Sequence, residues 1–270
     1  MGRKVDMHLH TYASDGQWSP EEVIKHIDEN NIKIFSVTDH DEVDCTEKIS
    51  ALVKDRDDLT YITGVEATVS YRGIEHHILT YYIDPSNESL LKLIAYNGAV
   101  REAYNVALMD WLNTDYPEVT SEAYRSYVYN PFQGGWRAFG YLQDAGVIDN
   151  LHDYFSLTKN FDFTKNFLLP EAYIPQMAAL GFKTVLAHPP AYTGGDIYEE
   201  EHLDYFKQLG LNGIECYTKY LKDQSKSQYY VDYCNKHKLM ITGGSDCHGG
   251  FAGRRIGFPD VDETMVRLKG

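Results

Sequence analysis

Short apolar runs alternate with helical patterns along this chain, and almost every run leads into a histidine or a carboxylate. The strand-like runs are Val5 to His10, Ile34 to Asp39, Tyr61 to Glu66, His77 to Tyr82, Thr184 to Ala187, Gly213 to Tyr217 and Met240 to Gly243. In the first, His8 and His10 stand two apart, so both point to one face of a strand. Val5, Met7 and Leu9 then point to the other, as a buried strand requires. Asp15 follows in Ser14-Asp15-Gly16, and the second run leads into Thr38-Asp39-His40-Asp41. The third ends at Glu66, and His76-His77 opens the fourth. The later runs lead into His188-Pro189 and Ser245-Asp246-Cys247-His248. One His-x-His pair among 11 histidines is weak evidence. Its recurrence with acids at strand ends is what carries weight.

Helices fill the intervals. Ser19-Pro20-Glu21-Glu22 supplies a capping serine, a proline at the first helical position and acids in the first turn. Helices from about Pro170, over Glu199 to Leu209 and over Ser225 to His237 separate the later strands, with Gly181 and Gly210 as stops. Strands alternating with helices predict βα units and a mainly parallel sheet, with a barrel favoured over an open sheet. Residues 87–167 break the rhythm with loose helical spacing and no convincing strand. The expected organisation is a first part of one domain over 1–86, a helical insertion over 87–167 and a second part over 168–270. The insertion could cap a site or decorate the outside.

Forty acidic against 25 basic residues give a formal charge of -15, which disfavours duplex nucleic acid as a partner. A small anionic substrate stays compatible where bound cations supply positive charge. No apolar stretch is long enough to cross a bilayer. The four cysteines are scattered without a CxxC pair, so reduced thiols and a cytoplasmic location are expected. No feature sets an oligomeric state. In βα barrels, residues at the carboxyl ends of the strands converge on one mouth. Imidazoles and carboxylates gathered there without cysteine suit Zn, Mn or Fe.

In these motifs the chain resembles the PHP (polymerase and histidinol phosphatase) family, particularly its small metal-dependent phosphoesterase branch. The matching pieces are Asp6-Met7-His8-Leu9-His10-Thr11 with Ser14-Asp15-Gly16, Val37-Thr38-Asp39-His40-Asp41, Gly64-Val65-Glu66, His77-Ile78-Leu79, Leu186-Ala187-His188-Pro189 and Ser245-Asp246-Cys247-His248-Gly249. The resemblance implies a distorted (β/α)7 barrel holding two or three divalent ions. His8, His10, Glu66 and Asp246 would hold the first, and Glu66 would bridge to a second on His77 and His188. Asp15, His40 and His248 would hold a third, with Asp15 standing where many relatives carry His.

The implied chemistry is hydrolysis of a small phosphate mono- or diester by a metal-activated hydroxide, with His248 or Asp41 relaying a proton. Arg137, Arg254 and Arg255 are candidate phosphate-binding cations, since a guanidinium forks onto phosphate oxygens. Each also suits a plain salt bridge. Some nucleotide-processing relatives carry an Arg-Pro-His motif near Gly134 to Arg137, and it is missing here. Alternation lets only one of His76 and His77 face inward. The family spacing selects His77, leaving His76 exposed or supporting. Asp39 and Asp41 could orient an imidazole or cap a helix, while His26, His152, His202 and His237 read as ordinary. Rival readings are a histidinol-phosphate phosphatase, a non-catalytic PHP regulatory module and an amidohydrolase.

Overall fold

The computed structural model describes residues 2–269. Numbered along the chain, β1 (Lys4–Asp6), β2 (Ile32–Phe35), β3 (Thr60–Tyr61) and β9 (Val261–Asp262) form one sheet in the order β3-β2-β1-β9. The second sheet is β4 (Gly64–Tyr71), β5 (Ile74–Tyr81), β6 (Lys183–Leu186), β7 (Gly213–Thr218) and β8 (Met240–Gly244), in that order. Helices α1 (Pro20–Glu29) and α2 (Thr46–Val53) accompany the first sheet, while α7 (Pro170–Ala179), α8 (Glu200–Gln208) and α9 (Ser227–His237) accompany the second. Between β5 and β6 lie α3 (Glu88–Leu112), α4 (Ser121–Ser126), α5 (Arg137–Asp144) and α6 (Leu151–Thr158). Local chemistry sets α1 as its sequence spells. Ser19 accepts from the Glu22 amide, the Glu22 side chain answers the Ser19 amide, and Pro20 opens the helix.

The expectation of a mainly parallel sheet fails at β5. It runs antiparallel to both β4 and β6, while β1-β2-β3 and β6-β7-β8 are parallel as expected. Arg72 and Gly73 both take positive φ, 52° and 75°, in a two-residue turn between β4 and β5. That is the turn geometry that folds a chain straight back on itself. His76 is also corrected: it is buried, with Nε2 2.8 Å from the Tyr198 hydroxyl, on the helix-covered side of the sheet.

The two sheets meet at two seams. Past the end of β1, the Met7 and His10 amides donate to Gly243 and Cys247 carbonyls, each at 3.0 Å, and Asp246 donates back to His8 at 2.9 Å. Past the end of β2, Asp41 donates to the Glu66 carbonyl at 2.9 Å and Glu66 to that of Asp39 at 3.1 Å. Single bridges, Leu9 with Cys247 and His40 with Glu66, therefore join the sheets. The fold is mixed α/β, and no closed barrel is present among the described residues. Val5, Met7, Leu79, Tyr81, Val185 and Met240 fill the space between the sheets. The insertion has its own core around Leu108, Met109, Tyr124, Phe139, Leu142 and Tyr154. No helix among the described residues is long and apolar enough to cross a membrane.

Candidate metal centre

The seams carry the site. His8 Nε2, His10 Nε2, Glu66 Oε2 and Asp246 Oδ1 converge in full burial. His8 Nε2 lies 3.1 Å from His10 Nε2, 3.1 Å from Glu66 Oε2 and 3.4 Å from Asp246 Oδ1. His10 Nε2 lies 3.2 Å from the same Glu66 oxygen and 3.1 Å from the same Asp246 oxygen. Donors about 2.0–2.1 Å from one ion at tetrahedral angles stand about 3.3 Å apart, so this spacing fits a small divalent cation.

Glu66 also meets three further histidines. Its Oε1 lies 3.0 Å from His188 Nε2 and 3.2 Å from His77 Nδ1, while Oε2 is 3.2 Å from His40 Nδ1. A further group gathers His10, Asp15, His40 and His248, with Asp15 Oδ1 3.0 Å from His248 Nε2 and Asp15 Oδ2 3.8 Å from His40 Nε2. His40 thus borders both groups. Backbone strain marks the same places: Asp41, His188 and Asp246 take φ of 48°, 28° and 51°. Left-handed backbone at non-glycine residues persists only where surrounding bonds over-determine it. Here the amides of all three are tied, to the Glu66 carbonyl, the Glu215 carboxylate and the His8 carbonyl.

The donor set fits divalent cations on charge as well as distance. The buried atoms Glu66 Oε2, Asp246 Oδ1, His40 Nδ1 and His77 Nδ1 have no hydrogen-bond partner among the described residues. Burial alone would keep Glu66 protonated, but His8, His40 and His77 around it hold its carboxyl well below the usual range. Asp246 is pulled down against its burial by Arg254, His8 and His248. Burial opposes a charge on His10, yet Asp246, Glu66 and Asp15 push it up to about 9, and Glu66 and Glu75 push His77 up to about 10. Without a metal these imidazoles hold protons that a bound cation would displace. Burial drives His40 the other way, well below its ordinary value, leaving it neutral as a ligand must be.

Supporting groups fix the ligands. Glu215 in β7, fully buried, accepts from His8 Nδ1 at 3.1 Å and from the His188 amide at 2.7 Å. The sequence reading passed over Glu215. Its signal was a lone acid in the apolar run Gly213-Ile214-Glu215-Cys216. Asp39 accepts from the Thr11 amide at 2.7 Å, the Thr11 hydroxyl at 2.6 Å and Ser14 at 2.7 Å, holding the loop that carries Asp15. Tyr220 donates to Asp246 Oδ2 at 2.7 Å.

The other candidates fall in different places. Asp41 accepts from Thr68 and Asn97 at 2.6–3.1 Å, so its carboxylate ties β4 to α3. His248 lies inside the cluster, its Nδ1 2.8 Å from Arg254 Nη1. Arg254 reaches Asp246 Oδ2 at 2.5 Å, so it is at the site. Arg137 is not. Its guanidinium donates to the carbonyls of Tyr124, Arg125 and Tyr127 at 2.8–3.1 Å and closes the end of α4. Arg255 is exposed. Beside Asp15, His40 and His77 opens a cavity of about 700 Å³, whose other walls include Arg101 and Tyr104 of α3, Tyr154 and Phe155 of α6, Trp136 and Lys165. The inserted segment therefore roofs the approach to the cluster.

Histidines and carboxylates packed this way where two sheets of an α/β fold meet form a candidate divalent-metal centre. A family model for the PHP domain matches residues 6–150, and the chain belongs to that family. Among curated proteins it is similar to the 3',5'-nucleoside bisphosphate phosphatase of Chromobacterium violaceum, 27% identical over 278 residues that span 94% of this chain and 90% of that one. It is also 26% identical over 268 residues to a 5'-3' exoribonuclease of Haemophilus influenzae, across 92% of this chain and 91% of the other. In fold it resembles a protein of Bifidobacterium adolescentis assigned as a metal-dependent phosphoesterase, with TM-score 0.79, 23% identity and coverage of 97% and 93%. An amidohydrolase of Chromobacterium violaceum, solved with bound sulfate and no metal, gives TM-score 0.76 at 23% identity, covering 91% of this chain and 88% of that one.

Proposed function

We infer that the chain is a metal-dependent phosphoesterase acting on small phosphorylated, nucleotide-like molecules. The observation that carries this reading is the buried convergence of His8, His10, Glu66 and Asp246, with each imidazole 3.1–3.4 Å from both carboxylate oxygens. His77 and His188 would share Glu66 with a second ion, and Asp15, His40 and His248 would hold a third, from Zn, Mn or Fe. Bound there, such ions would supply charge stabilisation for a phosphoryl oxygen and acidify a water. Arg254 is held beside Asp246 and His248 as a fixed positive charge for a phosphate oxygen. His248 is the proton-handling group, since it lies inside the cluster, while Asp41 serves to fix the strand edge that bears His40 and Glu66. In the same reading the two seams make the sheets a distorted (β/α)7 barrel, with 1–86 and 168–270 forming its parts and 87–167 inserted. Four free buried thiols fit a reducing cytoplasm.

The substrate class follows the relatives' names: a phosphorylated nucleotide or the 5' end of a short RNA, rather than duplex nucleic acid. The test is a panel run on Mn²⁺-loaded protein, with metal content measured by elemental analysis. It comprises an aryl phosphate, an aryl phosphodiester, adenosine 3',5'-bisphosphate, a 5'-phosphorylated oligoribonucleotide and histidinol phosphate. Turnover of the nucleotide substrates above histidinol phosphate is expected. Absence of turnover across the panel in a fully metallated sample would overturn the reading and favour the non-catalytic module.

A further inference from the structure

The guanidinium that faces the cavity is one the sequence motifs do not single out. Arg101, from α3, and Lys165, after α6, are its two Lys/Arg lining residues, and both belong to the inserted segment. Glu75 of β5 holds them together, with Oε1 3.0 Å from Arg101 Nη2 and Oε2 3.2 Å from Lys165 Nζ. The same Oε1 lies 3.5 Å from Nε2 of His77, so the cations sit one carboxylate away from the metal cluster. Their side chains keep 34% and 31% exposure, and both line the cavity. Among the described residues Arg101 donates only through Nη2, to Thr68 and Glu75. A guanidinium carries five N–H donors and an ammonium three, so both groups keep donors for a ligand.

The surroundings favour an anion with an aromatic neighbour. In a chain of formal charge -15, a site for a second anionic group needs local cations held in place. Trp136 and the exposed Phe155 line the same cavity and give it an aromatic wall beside which a base can sit.

We propose that Arg101 and Lys165 are specificity-determining residues that bind a second anionic group of the substrate, separate from the phosphate on the metal cluster. Resting on the phosphoesterase reading, this selects a nucleotide with phosphoryl groups on both sides of its ribose, whether a free bisphosphate or the 5'-terminal unit of an RNA.

The test uses the whole Mn²⁺-loaded chain as wild type, Arg101→Met, Arg101→Lys and Lys165→Met. Substrates are adenosine 3',5'-bisphosphate, a 5'-phosphorylated oligoribonucleotide and, as one-phosphate reference, an aryl phosphate. The ratio of kcat/KM for a doubly anionic substrate over the reference is expected to fall about 10- to 100-fold in Arg101→Met, mainly through KM, as loss of a charge-assisted contact implies. Lys165→Met should lower it about tenfold, and Arg101→Lys should recover part of the ratio. Whichever doubly anionic substrate shows the larger fall in Arg101→Met identifies the source of the second group. Equal loss on the reference and the doubly anionic substrates, with a lowered thermal midpoint, would reduce the pair to a tie between insertion and sheet and overturn the proposal. Calorimetry on metal-free protein decides the matter without turnover. Adenosine 3',5'-bisphosphate should bind Arg101→Met more weakly than it binds wild type while adenosine, which has no phosphate, binds both alike, and unchanged binding of the bisphosphate or equal weakening of both overturns the proposal. If the wild type hydrolyses none of the esters, the functional reading fails, while the calorimetric comparison still judges Arg101.

Discussion

Replacing Glu215 by glutamine tests whether the ligands are oriented from behind. The carboxylate receives two donors on separate oxygens, His8 Nδ1 at 3.1 Å and the His188 amide at 2.7 Å. Glutamine has the same shape but one acceptor oxygen and one NH2, so one of those donors would face another donor. A buried donor left unpaired costs about 1–3 kcal/mol. Outer partners of metal ligands are worth about 10- to 100-fold in affinity, or about 1.4–2.8 kcal/mol, so two independent routes give the same range. The Glu215→Gln variant is therefore expected to bind Zn²⁺ about 30-fold more weakly than wild type, within that range. Competition against a chelating dye of known affinity measures this, and circular dichroism checks that the fold is retained. A folded variant that holds Zn²⁺ within about twofold of wild type would refute the orienting role of Glu215.

Gly244→Ala should damage the same site by a different route. A methyl there would collide with His8 Cβ and come within 2.6 Å of the His8 amide nitrogen, so metal content should fall sharply even though the added group is apolar. Normal metal stoichiometry in Gly244→Ala would show that the seam can shift. pH offers a third check. Burial lowers His10 and His77, but their carboxylate neighbours outweigh it and lift them from 6.5 to about 9 and about 10 in the metal-free protein. Raised folded values mean the folded chain holds more protons, a stabilisation complete below the unfolded value and lost as pH rises through the folded ones. The thermal midpoint of metal-free protein should fall between pH 7 and 10, and saturating Mn²⁺ should flatten that fall. A midpoint that stays level or rises without metal would contradict this. Arg137→Met should lower stability by about 1.5–3 kcal/mol in urea unfolding, because the carbonyls ending α4 lose a charged donor. A raised KM without that loss would return Arg137 to substrate binding.

Much of the centre was legible because its chemistry is local. The His8-Leu9-His10 pair, Glu66 after Gly64-Val65 and the Asp246-Cys247-His248 run are short motifs readable without partners, and α1 is written in its cap, although β1 stops at Asp6 and β8 at Gly244, so that only Glu66 of these sits inside a strand. Other features were not local. β5 runs antiparallel because the turn at Arg72 and Gly73 reverses the chain, a reversal that the punctuating Gly73 marks but does not orient. Arg137 was drawn toward phosphate by its glycine neighbours, yet the carbonyls it meets belong to a helix end that its own segment does not reveal.

The sequence by itself determined which residues could ligate, since donor chemistry at the ends of apolar runs needs no partner to be read, while the backbone beyond the strands, left-handed at His188 and Asp246, set where they point. Only the tertiary structure decided that Glu215 stands behind both His8 and His188, and that Arg101 and Lys165 meet on Glu75 beside His77. Those contacts join residues far apart in the chain. They exist because two sheets meet edge to edge and an inserted helical segment folds over the seam, which no local pattern encodes.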